Sequence, residues 1–312
     1  MLYDLIIIGA GPAGLTAGLY SARKKIKTLI LTENVGGQIL ETAEIDNYIG
    51  LPEISGLELM QKMQKHLEKY SAVILSTGKK VTKIACLKKD KQNYFKIYIC
   101  DKEIYQAKSV ILANGRQHRS LKIPGEKEFK GRGVSFCSTC DAPFFSNKTI
   151  AVVGTGNSGL ESALSLSKFA KKIYLISNLD RMIGDKILQE KVEKDKKIEI
   201  LYNTAITDIQ GDMQVKNARI KTLTEPSSER VLAIEGVFVH IGYEPDTKWL
   251  EKLVELNKRG EIKIDANNMT SQKGIFAAGD ASDLPWKQII IATGEGAKAV
   301  LGVEKYLNCL NP

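Results

Sequence analysis

Residues 5–14 read Leu5-Ile6-Ile7-Ile8-Gly9-Ala10-Gly11-Pro12-Ala13-Gly14, an apolar run that ends in three spaced glycines. The run shows no polar alternation, as expected of a strand covered on both faces. Leu15 to Ala22 continues as a helix, and a second apolar stretch, Thr28 to Thr32, ends at Glu33. Glycines at a strand-to-helix junction allow a tight turn and let a pyrophosphate approach the backbone at the helix N-terminus. Glu33 stands 19 residues past Gly14, where an acid can hydrogen-bond a ribose hydroxyl. Strand, glycine turn, helix, strand and acid in that order predict a dinucleotide-binding βαβ unit.

The pattern recurs. Thr149 to Val153 is a second apolar strand, Gly154-Thr155-Gly156-Asn157-Ser158-Gly159 a second loop, Leu160 to Phe169 a helix and Lys172 to Ile176 the next strand. This strand ends at Ser177, where an acid or a phosphate-binding arginine is expected. The fold half of the signal is present and the ligand half is missing. Near the C-terminus, Ile275 to Ala278 runs into Gly279-Asp280. A carboxylate there can sit beside a ribityl hydroxyl of a flavin, and the Gln288 to Ala299 segment can open a helix with its N-terminus towards the same ligand. The sequence therefore predicts an α/β chain with two Rossmann-like, three-layer nucleotide-binding domains.

A length of 312 residues supports two such cores. The first residues, Met1 to Asp4, carry an acid where a secretory leader carries positive charge, and no apolar run reaches membrane-spanning length. These features predict a cytoplasmic protein with no membrane segment. A balance of 45 Lys+Arg against 36 Asp+Glu gives a net charge of +9. The lysines are interleaved with acids and no aromatic-basic stripe appears, which argues against nucleic acid and leaves an acidic protein partner open.

Of five cysteines, only Cys137 and Cys140 lie close together, in Phe136-Cys137-Ser138-Thr139-Cys140-Asp141. A zinc site needs four ligands, and His66, His118 and His240 supply no second pair at ligand spacing. A lone structural bridge is out of place in a reducing compartment, which leaves a redox pair.

The order of these motifs, together with Gly36-Gly37-Gln38, resembles the low-molecular-weight thioredoxin reductases. Ile45-Asp46-Asn47-Tyr48 and the tail from Lys287 to Lys298 are similar to the flavoprotein component of alkyl hydroperoxide reductase. That flavoprotein carries an N-terminal thioredoxin-like region, which is expected to be absent here because the flavin motif starts at residue 6. The resemblance implies a discontinuous FAD-binding domain, residues 1–115 and 243–312. The inserted domain, 116–242, would carry the redox pair and the second loop, Gly154, Gly156, Asn157 and Gly159. Ile123 to Glu126 and Gly242 to Pro245 read as the connecting turns.

By the same resemblance, Gly9, Gly11, Pro12, Ala13, Gly14 and Glu33 hold the ADP half of FAD. Gly37, Gln38, Asn47, Gly279, Asp280, Lys287, Gln288 and Ile289 surround the ribityl chain and the flavin. Cys140 faces the flavin, Cys137 exchanges with the partner disulfide, and Asp141 manages the protons. The implied substrate is thioredoxin or a thioredoxin-like protein, and the implied assembly a homodimer.

The sequence departs from this pattern at the donor site. Ser177, Asn178, Leu179 and Ile183 stand where NADPH-using relatives carry the arginines that grip the 2′-phosphate. Arg181 and Asp180 are the nearby charged residues. NADPH is thereby disfavoured, and the donor stays open between NADH and reduced ferredoxin, whose acidity would suit the +9 charge. Ala142 replaces a glycine after the redox pair, and Asn114 a threonine before Gly115. A small-molecule dithiol oxidase is the alternative, since it would also dispense with the arginines; a non-enzymatic redox sensor fits less well beside an intact Cys137, Cys140 and Asp141.

Overall fold

The computed structural model describes residues 1–42, 45–89, 92–100 and 103–310. The chain forms two compact units, one of residues 1–117 and 244–312, the other of residues 118–243. Among the described residues no helix is long and apolar enough to cross a membrane.

The first unit is built on a seven-stranded sheet. Val73–Ser76, Thr28–Val35, Leu2–Ala10, Glu103–Leu112 and Ile275–Ala277 run parallel in that spatial order. Gln92–Ile99 and Val81–Lys89 extend it as an antiparallel meander from the start of Glu103–Leu112. The unbroken apolar run of the first strand now has its reason. Leu5 and Ile7 enter the core beneath the helices Pro12–Arg23, Gly56–Leu67 and Ile289–Leu310, while Ile6 and Ile8 enter the opposite core with Phe95, Ile97 and Leu250. Burying such a side chain contributes about 1.5–3 kcal/mol, so both faces of this strand hold the unit together.

The second unit repeats the plan with a different back layer. Its parallel sheet has the order Ile198–Leu201, Lys172–Ile176, Thr149–Val153, Gly236–Val239 and Val134–Ser135. Ile150 and Val152 pack on the side that also holds Leu160, Ala163 and Leu166 of the helix Asn157–Ser167. Ala151 and Val153 face a three-stranded antiparallel sheet of Thr204–Gly211, Val215–Thr222 and Glu229–Ala233. Each unit thus has a parallel sheet in the middle with a covering layer on either face.

One expected connector is placed differently. Ile123 to Glu126 lies inside the second unit, where the buried Glu126 carboxylate accepts hydrogen bonds from the Leu121 and Lys122 amides and the Ser120 hydroxyl. A turn reading cannot distinguish a linker from a loop pinned by its own buried acid.

Candidate active site

Two glycine loops open at the C-terminal ends of the central strands, one in each unit. In the first, Gly9 has φ +102°, and a Cβ there would strike the carbonyl of Ala113. A Cβ on Gly14 would strike the carbonyl of Gly9. Both glycines are demanded by packing. Gly11 is different: its ideal Cβ meets nothing nearer than the Gly36 carbonyl oxygen at 3.8 Å. It is the N-cap of Pro12–Arg23, with no side chain satisfying the first amides of the helix. Those N–H groups are open to an anion.

The second loop is built in the same way. Cβ atoms on Gly154 and Gly159 would strike the carbonyls of His240 and Gly154, whereas Gly156 has nothing within 4 Å. Packing accounts for the outer glycines of each loop and leaves the middle one free for close approach by a ligand.

In the first unit the residues expected around a flavin converge from distant segments. Asn47 donates through Nδ2 to Gln288 Oε1 at 3.2 Å, across 241 positions of sequence. Gln38 Nε2 donates to the Arg116 carbonyl. A Cβ on Gly279 would sit 3.0 Å from that of Ala13, which places the half-buried Asp280 against the first loop. Gly37 neighbours the same loop, its ideal Cβ 3.9 Å from the Cα of Gly11. Ile289 begins the long C-terminal helix, packed against the core beside that turn. Lys287 pairs with Glu261 at 3.2 Å, and burial lowers its pKa against the pull of that carboxylate. Glu33 is exposed and pairs with Lys80 at 3.1 Å, a contact worth at most about 1 kcal/mol that leaves the carboxylate accessible.

Sequence reasoning missed Arg116, Glu261 and Ser135, and marked Asn114 only as a departure from the family pattern. Arg116 Nη2 meets Glu261 at 2.7 Å, while the Nε of Arg116 and the Oδ1 of Asn114 are buried without a hydrogen-bond partner among the described residues. Unpaired buried polar atoms are costly, and Asn114 lies next to the first loop, its Cα 3.1 Å from an ideal Cβ on Gly9. The first unit fits a long ligand carrying a diphosphate and several polar groups, as FAD does.

The redox pair is in the second unit, where Cys137 and Cys140 form a disulfide with Cα atoms 5.4 Å apart. Cys137 is half-buried and Cys140 exposed. The Cys140 amide donates to Cys137 Sγ at 3.1 Å, an interaction that favours a thiolate on Cys137. Ser135 ties the set together: its hydroxyl donates to Asp141 Oδ2 at 2.6 Å and accepts from the Cys137 amide at 3.1 Å.

At the second loop Asn157 is clasped by Asp185, its Oδ1 accepting from the Asp185 amide at 2.7 Å and its Nδ2 donating to the carboxylate at 3.0 Å. Ser177 points inward, 3.1 Å from the Thr155 hydroxyl, and Asp180 and Arg181 are exposed and pair loosely at 3.8 Å. Burial pushes the Glu161 carboxyl up, with Asp185 adding to the effect. The charged group that touches the loop is therefore a carboxylate, Asp185.

His240, which directly follows the strand Gly236–Val239, is mostly buried, and its Nε2 has no hydrogen-bond partner among the described residues. Burial, and then the charge of His118, push its pKa down from 6.5 to about 4. Unfolded, the ring takes a proton near 6.5; folded, only near 4. Between these values the unfolded chain binds more protons, so stability falls as pH drops through that window. We expect denaturant titrations to show His240→Gln losing about 3 kcal/mol less than the parent between pH 6.5 and 4. Equal losses in the two proteins would remove His240 as the cause.

A sequence profile for pyridine nucleotide-disulphide oxidoreductases matches residues 3–296. Among curated proteins, the chain is 39% identical over 306 residues to the F component of alkyl hydroperoxide reductase of Escherichia coli strain K12. The match covers 98% of this chain and 58% of that protein, so the chain spans less than two thirds of this relative. Thioredoxin reductase from Lactococcus lactis has a similar solved structure, with TM-score 0.87, 36% identity and coverage of 98% of this chain and 99% of that one. A ferredoxin-flavin thioredoxin reductase from Clostridium acetobutylicum is similar with TM-score 0.53, 30% identity and coverage of 98% and 99%.

Proposed function

The chain belongs to the pyridine nucleotide-disulphide oxidoreductase family, and from that premise we propose that it is an FAD-dependent reductase of thioredoxin or a thioredoxin-like protein, with NADH as electron donor. The observation that carries this reading is the Cys137–Cys140 disulfide with Asp141 fixed beside it by Ser135. A structural bridge has no use for a positioned acid, whereas a bridge that opens in each turnover needs one.

FAD, when bound, supplies a carrier that accepts an electron pair from a hydride donor and passes it to a disulfide. Gly9, Gly11, Pro12, Ala13 and Gly14 would hold its diphosphate, Glu33 the adenosine ribose, and Gly37, Gln38, Asn47, Gly279, Asp280, Lys287, Gln288 and Ile289 the ribityl and ring portions. Gly154, Gly156, Asn157 and Gly159 would hold the donor. Two electrons open the Cys137–Cys140 bond, and Asp141 holds a proton for the departing sulfur. The Cys137 thiolate, favoured by the Cys140 amide, attacks the partner disulfide to form a mixed disulfide. Cys140 then displaces the partner, which leaves as a dithiol, and the internal disulfide is restored.

NADH is preferred to NADPH because Ser177, which stands where a 2′-phosphate-binding arginine is expected, is turned inward to Thr155, and the charged group bonded to the loop is a carboxylate, Asp185. The open space at Gly156 supports a nucleotide at all, since packing alone does not require glycine there. The +9 charge is the observation that favours reduced ferredoxin instead. An anaerobic titration of the FAD-loaded protein separates the donors. NADH should bleach the flavin at least about tenfold more efficiently than NADPH, the cost of a 2′-phosphate left without a charged partner. Bleaching by ferredoxin alone would withdraw the nucleotide from the second loop, and bleaching only by a small dithiol would favour an oxidase running in the opposite direction.

A further inference from the structure

Four charges meet in the first unit although their residues are scattered through the chain. Glu261 is 3% exposed. Its Oε1 takes both Arg116 Nη2 at 2.7 Å and Lys287 Nζ at 3.2 Å. Its Oε2 accepts from Asn257 at 2.8 Å. Burial pushes the Glu261 carboxyl up, but the hydrogen bonds from Asn257 and Lys287 and the charge of Lys287 outweigh it, so the group stays ionised. Asp280 is the fourth charge: burial raises its pKa, and the charges of Arg116 and Lys287 draw it back. A buried carboxylate with two cations on a single oxygen is an expensive arrangement for structure alone. Moreover, Arg116 keeps its Nε unpaired while spending only one nitrogen on Glu261. Its carbonyl receives the side chain of Gln38, and Asn114, two residues earlier, leaves Oδ1 unpaired as well.

We propose that Arg116, anchored by Glu261 beside Lys287, is the fixed cation that offsets the negative charge gained by a bound flavin on reduction, and thereby sets how readily the cofactor accepts electrons. The proposal rests on the reading that this unit binds FAD. A flavin that takes up two electrons and one proton becomes more negative by one charge. With Asp280 ionised, the four side chains sum to zero. Removing the Arg116 charge leaves them at −1 and opposes reduction, whereas removing the Glu261 charge leaves them at +1 and favours it. Electrostatics therefore predicts opposite signs for the two changes, while loss of a merely structural contact predicts no such pairing.

The test is dye-equilibrated potentiometry of the FAD-loaded protein and of Arg116→Gln, Arg116→Lys and Glu261→Gln, with FAD content and thermal stability measured on each. Arg116→Gln should favour the oxidised cofactor by about tenfold or more, about 30 mV downward for a two-electron couple. Glu261→Gln should move the potential upward, and Arg116→Lys should restore most of the parent value. If Arg116→Gln keeps FAD and the parent potential, or if both neutral variants shift the same way, the proposal fails. A parent chain that takes up no FAD overturns the cofactor reading itself, which a missing shift in a yellow protein does not.

Discussion

Cys137→Ser should abolish the proposed reduction of a protein disulfide, by more than about a thousandfold, on the scale seen when a covalent nucleophile is removed. FAD content should not change, because the disulfide lies in the second unit and the proposed flavin residues in the first. Cys140→Ser is equally inactive in turnover but fails at a different step. Its Cys137 thiol should still attack a thioredoxin disulfide, with no neighbouring thiol to complete the exchange. With a thioredoxin retaining one activated cysteine, Cys140→Ser should give a covalent one-to-one adduct on a non-reducing gel, and Cys137→Ser should give none. The reverse pattern would exchange the roles of the two sulfurs. Exposure alone would suggest that exchange, since Cys140 is the more open residue. The amide donated to Cys137 Sγ argues for the assignment made here, because it stabilises the charge a nucleophile carries.

The glycine loops give the second large effect, and here the contrast between positions carries the argument. Gly14→Ala drives a Cβ into the Gly9 carbonyl, and the backbone on both sides has nowhere to yield. Overpacking of this kind costs about 1–3 kcal/mol, occasionally more, and its relief separates the helix from the loop that should hold the diphosphate. The purified protein should be nearly colourless and less than about a hundredth as active, the rate loss that about 2.7 kcal/mol corresponds to. Gly156→Ala meets no atom, and its φ of −77° suits alanine. Its thermal stability and flavin content should match the parent, while KM for the nucleotide donor rises about tenfold or more through loss of close approach to the diphosphate. An unchanged KM would mean that the second loop binds no donor.

These contrasts also show which features were readable from the chain. The two βαβ repeats were, because a strand covered on both faces writes itself as an unbroken apolar run and the following glycines mark the turn. The helices begin earlier than apolar periodicity suggests, at Pro12 and Asn157. Proline at the first helical position is compatible with the helix, and a glycine N-cap offers no side-chain signal to mark the start. The strand expected to stop at Thr32 continues to Val35, with Ala10 pairing to Val35 after a register shift, so that Glu33 lies within the strand and reaches Lys80.

The three-stranded sheet of the second unit went unread. Its first strand has irregular register between Ile206 and Asp208, which disrupts the period-two alternation that announces a strand. Arg116 and Glu261 could not be paired from sequence because 145 positions separate them, and only the return of the chain after the second unit brings them together. Ser135 was invisible for a simpler reason. A lone serine two residues before a cysteine has no distinctive pattern, and its part in holding Asp141 is a matter of geometry alone.

In the proposed enzyme, FAD and the Cys137–Cys140 disulfide belong to one electron path. An electron count decides whether they do. Under anaerobic reductive titration, the FAD-loaded protein should absorb about two electron pairs per chain before the flavin is fully bleached, one for the cofactor and one for the disulfide, while Cys137→Ser should absorb about one. A parent protein that bleaches completely after a single pair, with its disulfide still closed, would separate the disulfide from the flavin's electron path.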